Sequence, residues 1–224
     1  MGRDNSPKER QRKQLERKQN RRASYDRILI VSEGSRTEPN YFKEIRAEYR
    51  LHSANVEVQP GAVGTEPIQV VEYACELFEK GNRRKGIRPR GFEQVYAVFD
   101  RDEHRTFHDA LARARALDGK LKNDLKQPVK FIAIPSRPNF EFWLLLHFED
   151  IHHLMPRGEV MRRLKTHIPD YEKGSGRAFA ATKANLPAAI ARARALAQRA
   201  DPGDDEEPYS GVVELVELLT RLKN

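Results

Sequence analysis

Asp100 and Asp102 close the stretch Val95-Tyr96-Ala97-Val98-Phe99-Asp100-Arg101-Asp102-Glu103, where five apolar residues run into three acids within four positions. A continuous run of β-branched and aromatic residues forms a strand buried on both faces. Like charges clustered at its end are costly to desolvate unless a cation neutralises them. Hard divalent ions, which take oxygen ligands, meet that need. Side chains two apart on extended backbone point the same way, so Asp100 and Asp102 can serve one ion. Such a D-x-D pair is half a metal site, and the remaining ligands must come from elsewhere in the chain.

The elements that would bring them are short strands alternating with amphipathic helices. Ile28-Leu29-Ile30-Val31 is a buried strand, and Ser32-Glu33-Gly34-Ser35 after it is a polar turn. Thr37-Glu38-Pro39 opens a helix whose apolar face is Tyr41, Phe42, Ile45 and Tyr49. Val56-Glu57-Val58 is a weak second strand. Thr65-Glu66-Pro67 opens a helix with Ile68, Val71, Cys75 and Phe78 inward, terminated by Gly81. After Glu103, Thr106 caps a helix with Phe107, Leu111, Ala114 and Leu117 inward, ended by Gly119. Val129 to Ile134 is a fourth strand, and Pro135-Ser136-Arg137-Pro138-Asn139-Phe140-Glu141-Phe142-Trp143 leads into an apolar helix. The order β-α-β-α-β-α-β-α implies a mainly parallel sheet covered on both faces. In such sheets the functional crevice lies beyond the strands' carboxyl ends. That topology collects Glu33, Asp100, Asp102, Glu103, Ser136, Arg137 and Glu141 at one edge. The remainder reads as helical. Pro187 kinks or divides the alanine-rich helix over 178–200, and Ser210 caps a last helix with Val212, Val216, Leu219 and Leu222 inward.

Composition bounds the class. The chain has 224 residues, 38% hydrophobic and 33% charged, enough for one domain with or without an appendage. The longest apolar stretch, Phe140 to Phe148, carries Glu141 and His147 and is far short of the roughly 20 residues of a membrane span. The basic N-terminus has no apolar core behind it, so no signal peptide is expected. The single cysteine, Cys75, excludes an internal disulfide, and the expected compartment is the cytoplasm. Net charge is +8, but residues 1–24 hold nine Lys/Arg against three Asp/Glu. The high pI is therefore largely the tail's. That tail reads either as a disordered arm for phosphate backbones or as a solubilising leader. The loop KGNRRKGIRPRG over 80–91 likewise reads as a phosphate contact or a solvated connection.

A strand ending in Glu-Gly, followed much later by one ending in Asp-x-Asp, resembles the Toprim fold of topoisomerases, primases and several nucleases. The finer pattern is similar to the RloB family, in ILIVSEGSRTEPNYF at 28–42, VFDRDEH at 98–104, PSRPNFEFWLLLHFED at 135–150 and PYSGVVELVELL at 208–219. The resemblance implies an α/β, Toprim-like fold: a mainly parallel four-stranded sheet flanked by helices over 25–150, with a helical extension over 151–224 packed on it. RloB-like proteins occur beside restriction-modification and other phage-defence genes and are considered Toprim-type nucleases related to the overcoming-lysogenization-defect nucleases. The resemblance thus implies metal-dependent cleavage of phosphodiester bonds in DNA or RNA, with a neighbouring ATPase as a candidate partner. Oligomeric state stays open, a homo-oligomer included.

Phosphodiester cleavage needs an activated water and neutralised phosphoryl oxygens, which one or two Mg²⁺ or Mn²⁺ ions supply. Asp100 and Asp102 would bind the first ion, and Glu33 would share it or act as general acid/base. Glu38 is placed to hold a second ion, as the corresponding acid is thought to do in the related nucleases; a helix N-terminus favours an acid there in any case. Glu141 is a further ligand candidate, or else a cap or arginine partner. Arg36, Ser136, Arg137 and the helix start after Pro138 would hold phosphate, unless the arginines form salt bridges. Lys173 either reaches phosphate or stays in a surface loop. Glu103 reads as solvent-facing. His104 and His108 have zinc spacing but straddle the cap at Thr106, so no zinc site is expected. Two functional classes follow: a metal-dependent nuclease of anti-phage defence, or a non-catalytic nucleic-acid-binding or sensor subunit on a Toprim scaffold. The intact acidic set favours the nuclease, since a pure phosphate binder gains nothing from clustered carboxylates.

Overall fold

A computed structural model describes residues 25–53, 55–61, 66–101, 105–203 and 206–222. The basic segment 1–24 and the acids Asp102 and Glu103 lie outside these residues. The elements are β1 (Ile28–Ser32), α1 (Thr37–Glu48), β2 (Val56–Pro60), α2 (Pro67–Lys80), β3 (Gln94–Asp100), α3 (Phe107–Leu117), β4 (Lys130–Arg137) and α4 (Phe140–Leu145). They continue with α5 (Arg157–His167), α6 (Ala178–Thr182), α7 (Leu186–Ala197), β5 (Tyr209–Ser210) and α8 (Val212–Arg221).

The strands form one sheet in the order β2-β1-β3-β4-β5. The first four are parallel, as the β-α alternation requires. Every residue of β1 is buried, and alternate residues feed two separate cores. Ile28 and Ile30 join Tyr41, Phe42 and Trp143 on one face, while Leu29 and Val31 join Val71, Phe78 and Phe107 on the other. Among the described residues, the second face is covered by α2 and α3, and the first carries the remaining helices. Ile151, Val160, Leu164, Ala189 and Val216 belong to the same core as Ile30 and Trp143, so the helices after residue 150 build no core of their own.

Two expectations are corrected. The sheet has five strands instead of four, because Tyr209–Ser210 pairs antiparallel with Arg137 and Ser136. A two-residue strand leaves no periodicity to read. Ser210 therefore belongs to β5, and the backbone cap of α8 is Gly211. Thr106 stands at the start of α3, but its hydroxyl donates to Glu66 instead of capping the helix. Two other local readings hold. Gly81 ends α2 with φ 67, a conformation glycine adopts without strain. Pro187 lies in the first turn of α7, and a 3₁₀ turn over Lys183–Asn185 separates that helix from α6.

Candidate functional site

The register of the sheet sets the site. Ser32 at the end of β1 pairs with Val98, so β3 runs two residues further. The chain leaving β1 stays in contact with that overhang: the Glu33 N–H donates to the Val98 carbonyl at 2.8 Å. The Glu33 carboxylate then folds over the strand end and accepts the Asp100 N–H at 3.0 Å. Glu33 and Asp100, 67 residues apart in sequence, are thus neighbours at the carboxyl edge.

They line a cleft of about 290 Å³ together with Glu38, Glu141, Arg36, Arg157 and Lys173. Glu38 enters from the first turn of α1 and Glu141 from the first turn of α4. Both are buried. Glu141 is held by three donors: Asn139 Nδ2 at 2.7 Å, Tyr171 Oη at 3.3 Å and Lys173 Nζ at 3.1 Å. Its charged partner is thus Lys173, where the sequence left a metal ion, a cap or an arginine as the alternatives. The loop carrying Lys173 is seated on the first turn of α1, since Asn40 Nδ2 donates to the Gly174 carbonyl at 3.2 Å. Lys173 is therefore a cleft residue. Arg157, at the start of α5, was not singled out by sequence reasoning; nothing local distinguishes it from the chain's other arginines.

Four carboxylates share the cleft with three cationic side chains. Burial, and then the charges of Glu141 and Glu33, push the Glu38 carboxyl up to about 7, against the pull of its backbone hydrogen bond and Lys173. A folded-state pKa above the usual 4.5 means that the folded protein keeps this proton where the unfolded chain has lost it. Its stabilising contribution is full below 4.5 and is lost as pH rises to about 7. In chelator, Glu38→Gln should therefore gain stability relative to wild type between pH 5 and pH 8, by at most about 3 kcal/mol. Urea unfolding at the two pH values checks this, and a constant difference would refute it.

Gly34 makes room for this carboxyl. A Cβ at residue 34 would lie 1.9 Å from Glu38 Oε2. Only the end of a flexible side chain is in the way, so Gly34→Ala should fold normally and turn Glu38 out of its pocket. The expected readout is loss of the same pH dependence in the same urea experiment. An unchanged profile would show that Glu38 is held by something other than this fit.

Not every expected residue arrives. Ser136 has the strand parity of Ile134, so it turns into the core; it is fully buried, and its Oγ has no hydrogen-bond partner among the described residues. Arg137 is 2% exposed, and its Nε donates to the Glu207 carbonyl beside β5. Neither lines the cleft, so their assignment to substrate phosphate is withdrawn. A larger groove of about 430 Å³ between α2 and α3 is lined by Ile68, Tyr73, Cys75 and Arg113 among others, and it holds none of the strand-end acids.

Among the described residues, no three Asp, Glu, His or Cys side chains stand close enough, as oriented, to ligate one ion. The donor set still fits a hard divalent cation. It consists of carboxylates from three stretches of chain in one cleft, and burial, with its neighbours' charge, holds one of them protonated toward neutral pH.

Fold and cleft together define an α/β protein with a mainly parallel sheet and a carboxylate-lined crevice beyond the strand ends. The chain belongs to the RloB family: the family model described as RloB-like protein matches residues 28–219. No curated protein and no solved structure matches the chain. Among the described residues, no helix is long and apolar enough to cross a membrane.

Proposed function

We propose that this RloB-family protein is a Toprim-type, Mg²⁺- or Mn²⁺-dependent nuclease that cleaves phosphodiester bonds in DNA or RNA, acting in anti-phage defence. The observation that carries this reading is the composition of the cleft. Glu33, Glu38, Asp100 and Glu141 line it beside Arg36, Arg157 and Lys173. Carboxylates alone would repel a phosphodiester, and cations alone would need no carboxylates. The mixture suits a substrate phosphate bound together with a divalent ion.

Glu33 and Asp100 are the residues to hold that ion, with Asp102, the other acid of the D-x-D pair, and with Glu38 and Glu141 available for a second. The bound ion would neutralise phosphoryl oxygens and lower the pKa of a water. Arg36, Arg157 and Lys173 would orient the phosphate by charge-assisted hydrogen bonds. Glu141 is the pivot, because Lys173 must loosen its contact there if either is to reach a ligand. The second reading, a non-catalytic nucleic-acid-binding or sensor subunit, draws support from that same ion pair and from the spread of the acids.

Incubation of the full chain with single- and double-stranded DNA and RNA decides between them. The nuclease reading expects cleavage with Mg²⁺ or Mn²⁺, none in chelator, and recovery when the metal is restored in excess. Binding without cleavage under every metal condition would leave the second reading standing. An added ATPase partner is the one further condition to include.

A further inference from the structure

The edge of the sheet opposite the cleft is charged in the other sense. Ile28, Gln94 and Lys130 open β1, β3 and β4 side by side. β3 runs seven residues from Gln94 at this edge to Asp100, roughly 20 Å along the strand. Two small hairpins project here, closed by the bridges Asn82↔Ile87 and Lys122↔Pro128. They come from segments about forty residues apart and are tied together, the Asp124 N–H donating to the Arg90 carbonyl at 2.8 Å.

Arg83, Arg84 and Arg88 are exposed on the first hairpin segment, and Lys120, Lys122 and Lys126 on the second. None of the six forms an ion pair with a carboxylate among the described residues. The acids of this edge are already engaged. Arg27, itself buried, donates from Nε to Glu93 at 3.0 Å and from Nη1 to Asp124 at 2.9 Å. Asp118 Oδ1 accepts the Phe131 N–H at 3.0 Å. The surface therefore keeps its positive charge.

We propose that this amino-terminal edge is a second nucleic-acid surface, which anchors backbone phosphates remote from the acidic cleft. A polyanion approaching the cleft meets carboxylates, and an anchoring surface elsewhere offsets that repulsion. Arginine- and lysine-bearing loops without an apolar face suit a phosphate backbone better than a lipid surface. Leu125, 66% exposed, is the one exposed large apolar side chain of this edge among the described residues, and interfacial anchors need an apolar face. The inference rests on the nuclease reading only in that the anchored polymer would be the substrate; the binding itself needs no metal.

The test is fluorescence anisotropy on the full chain in chelator, so that loss of binding and loss of cleavage are scored separately. Probes are labelled duplex DNA and single-stranded DNA and RNA, titrated from low to physiological salt. Two variants are compared with wild type: R83Q/R84Q/R88Q and K120Q/K122Q/K126Q. Each should weaken duplex binding and lower the slope of log K against log salt by about 2 to 3, at about 0.9 for each phosphate no longer neutralised. K120R/K122R/K126R should restore the slope, which separates charge from folding. Wild-type slopes in both glutamine variants would overturn the proposal, since binding would then reside in the tail or the cleft. Absence of binding to every probe would overturn it too. So would weakened binding to phosphatidylserine vesicles with nucleic-acid binding intact, which would make the edge a membrane surface.

Discussion

Cleavage by Glu33→Gln and by Asp100→Asn is expected to fall at least about 10³-fold below wild type, the equivalent of about 4 kcal/mol of transition-state stabilisation. Both substitutions keep side-chain size and remove one charge. The Asp100 N–H that Glu33 accepts is backbone, so Asp100→Asn leaves that contact in place. The folds should therefore survive, and removing a charge from a crowded acidic cleft should not destabilise the metal-free protein. Because the two side chains line one cleft and would hold the same ion in the proposed reaction, their losses should not add. The double variant should be no worse than the weaker single one. Asp102→Asn belongs in the same series as the other half of the D-x-D pair. Direct binding of Mn²⁺ gives the readout that does not depend on turnover. Full cleavage by all variants would point to a contaminating enzyme and end the nuclease proposal.

The largest expected loss of stability is that of Trp143→Ala. Trp143 is the chain's single tryptophan and has no solvent exposure. Its Nε1 donates to the Tyr41 hydroxyl at 2.8 Å, and its ring meets His147 edge-on with centroids 4.9 Å apart. Truncation leaves a cavity and strips the buried Tyr41 hydroxyl of its donor, at about 3–5 kcal/mol. At about 2–4 °C per kcal/mol for a chain of this size, the melting temperature should drop by roughly 6–20 °C. Circular dichroism at 222 nm measures it without relying on tryptophan fluorescence. Trp143→Phe should lose less, because the ring volume is partly kept. A melting temperature within about 2 °C of wild type would show that this core can collapse around the gap. The site depends on this packing. Trp143 lies two residues after Glu141 on α4, and Tyr41 lies three after Glu38 on α1. The pair pins together the two helices that carry the buried carboxylates.

The strands were legible because a strand buried on both faces has to be apolar at every position, and such runs are visible without knowing their partners. Their ends were legible for the same reason: the acids at Glu33 and Asp100 break the apolar rule where the backbone reaches the rim. Meeting at one rim follows from parallel connectivity, and the 3.0 Å contact between Glu33 and the Asp100 N–H bears that reading out. Ser136 and Arg137 were misplaced because position after a strand was read as position at the rim. β4 runs on to Arg137, and the strand's alternation still governs where Ser136 points.

The amino-acid order thus determined the four parallel strands, the helices between them, and that remote acids share one edge. Each of these depends on local chemistry plus a single rule of handed, parallel connection. Tertiary structure alone decided that Lys173 neutralises Glu141 from 32 residues away, that Arg157 enters the cleft, and that Tyr209–Ser210 adds a fifth strand. It also placed the two basic hairpins together at the far edge. These are meetings between loops, whose paths are set by packing against the assembled sheet and not by any periodicity of their own.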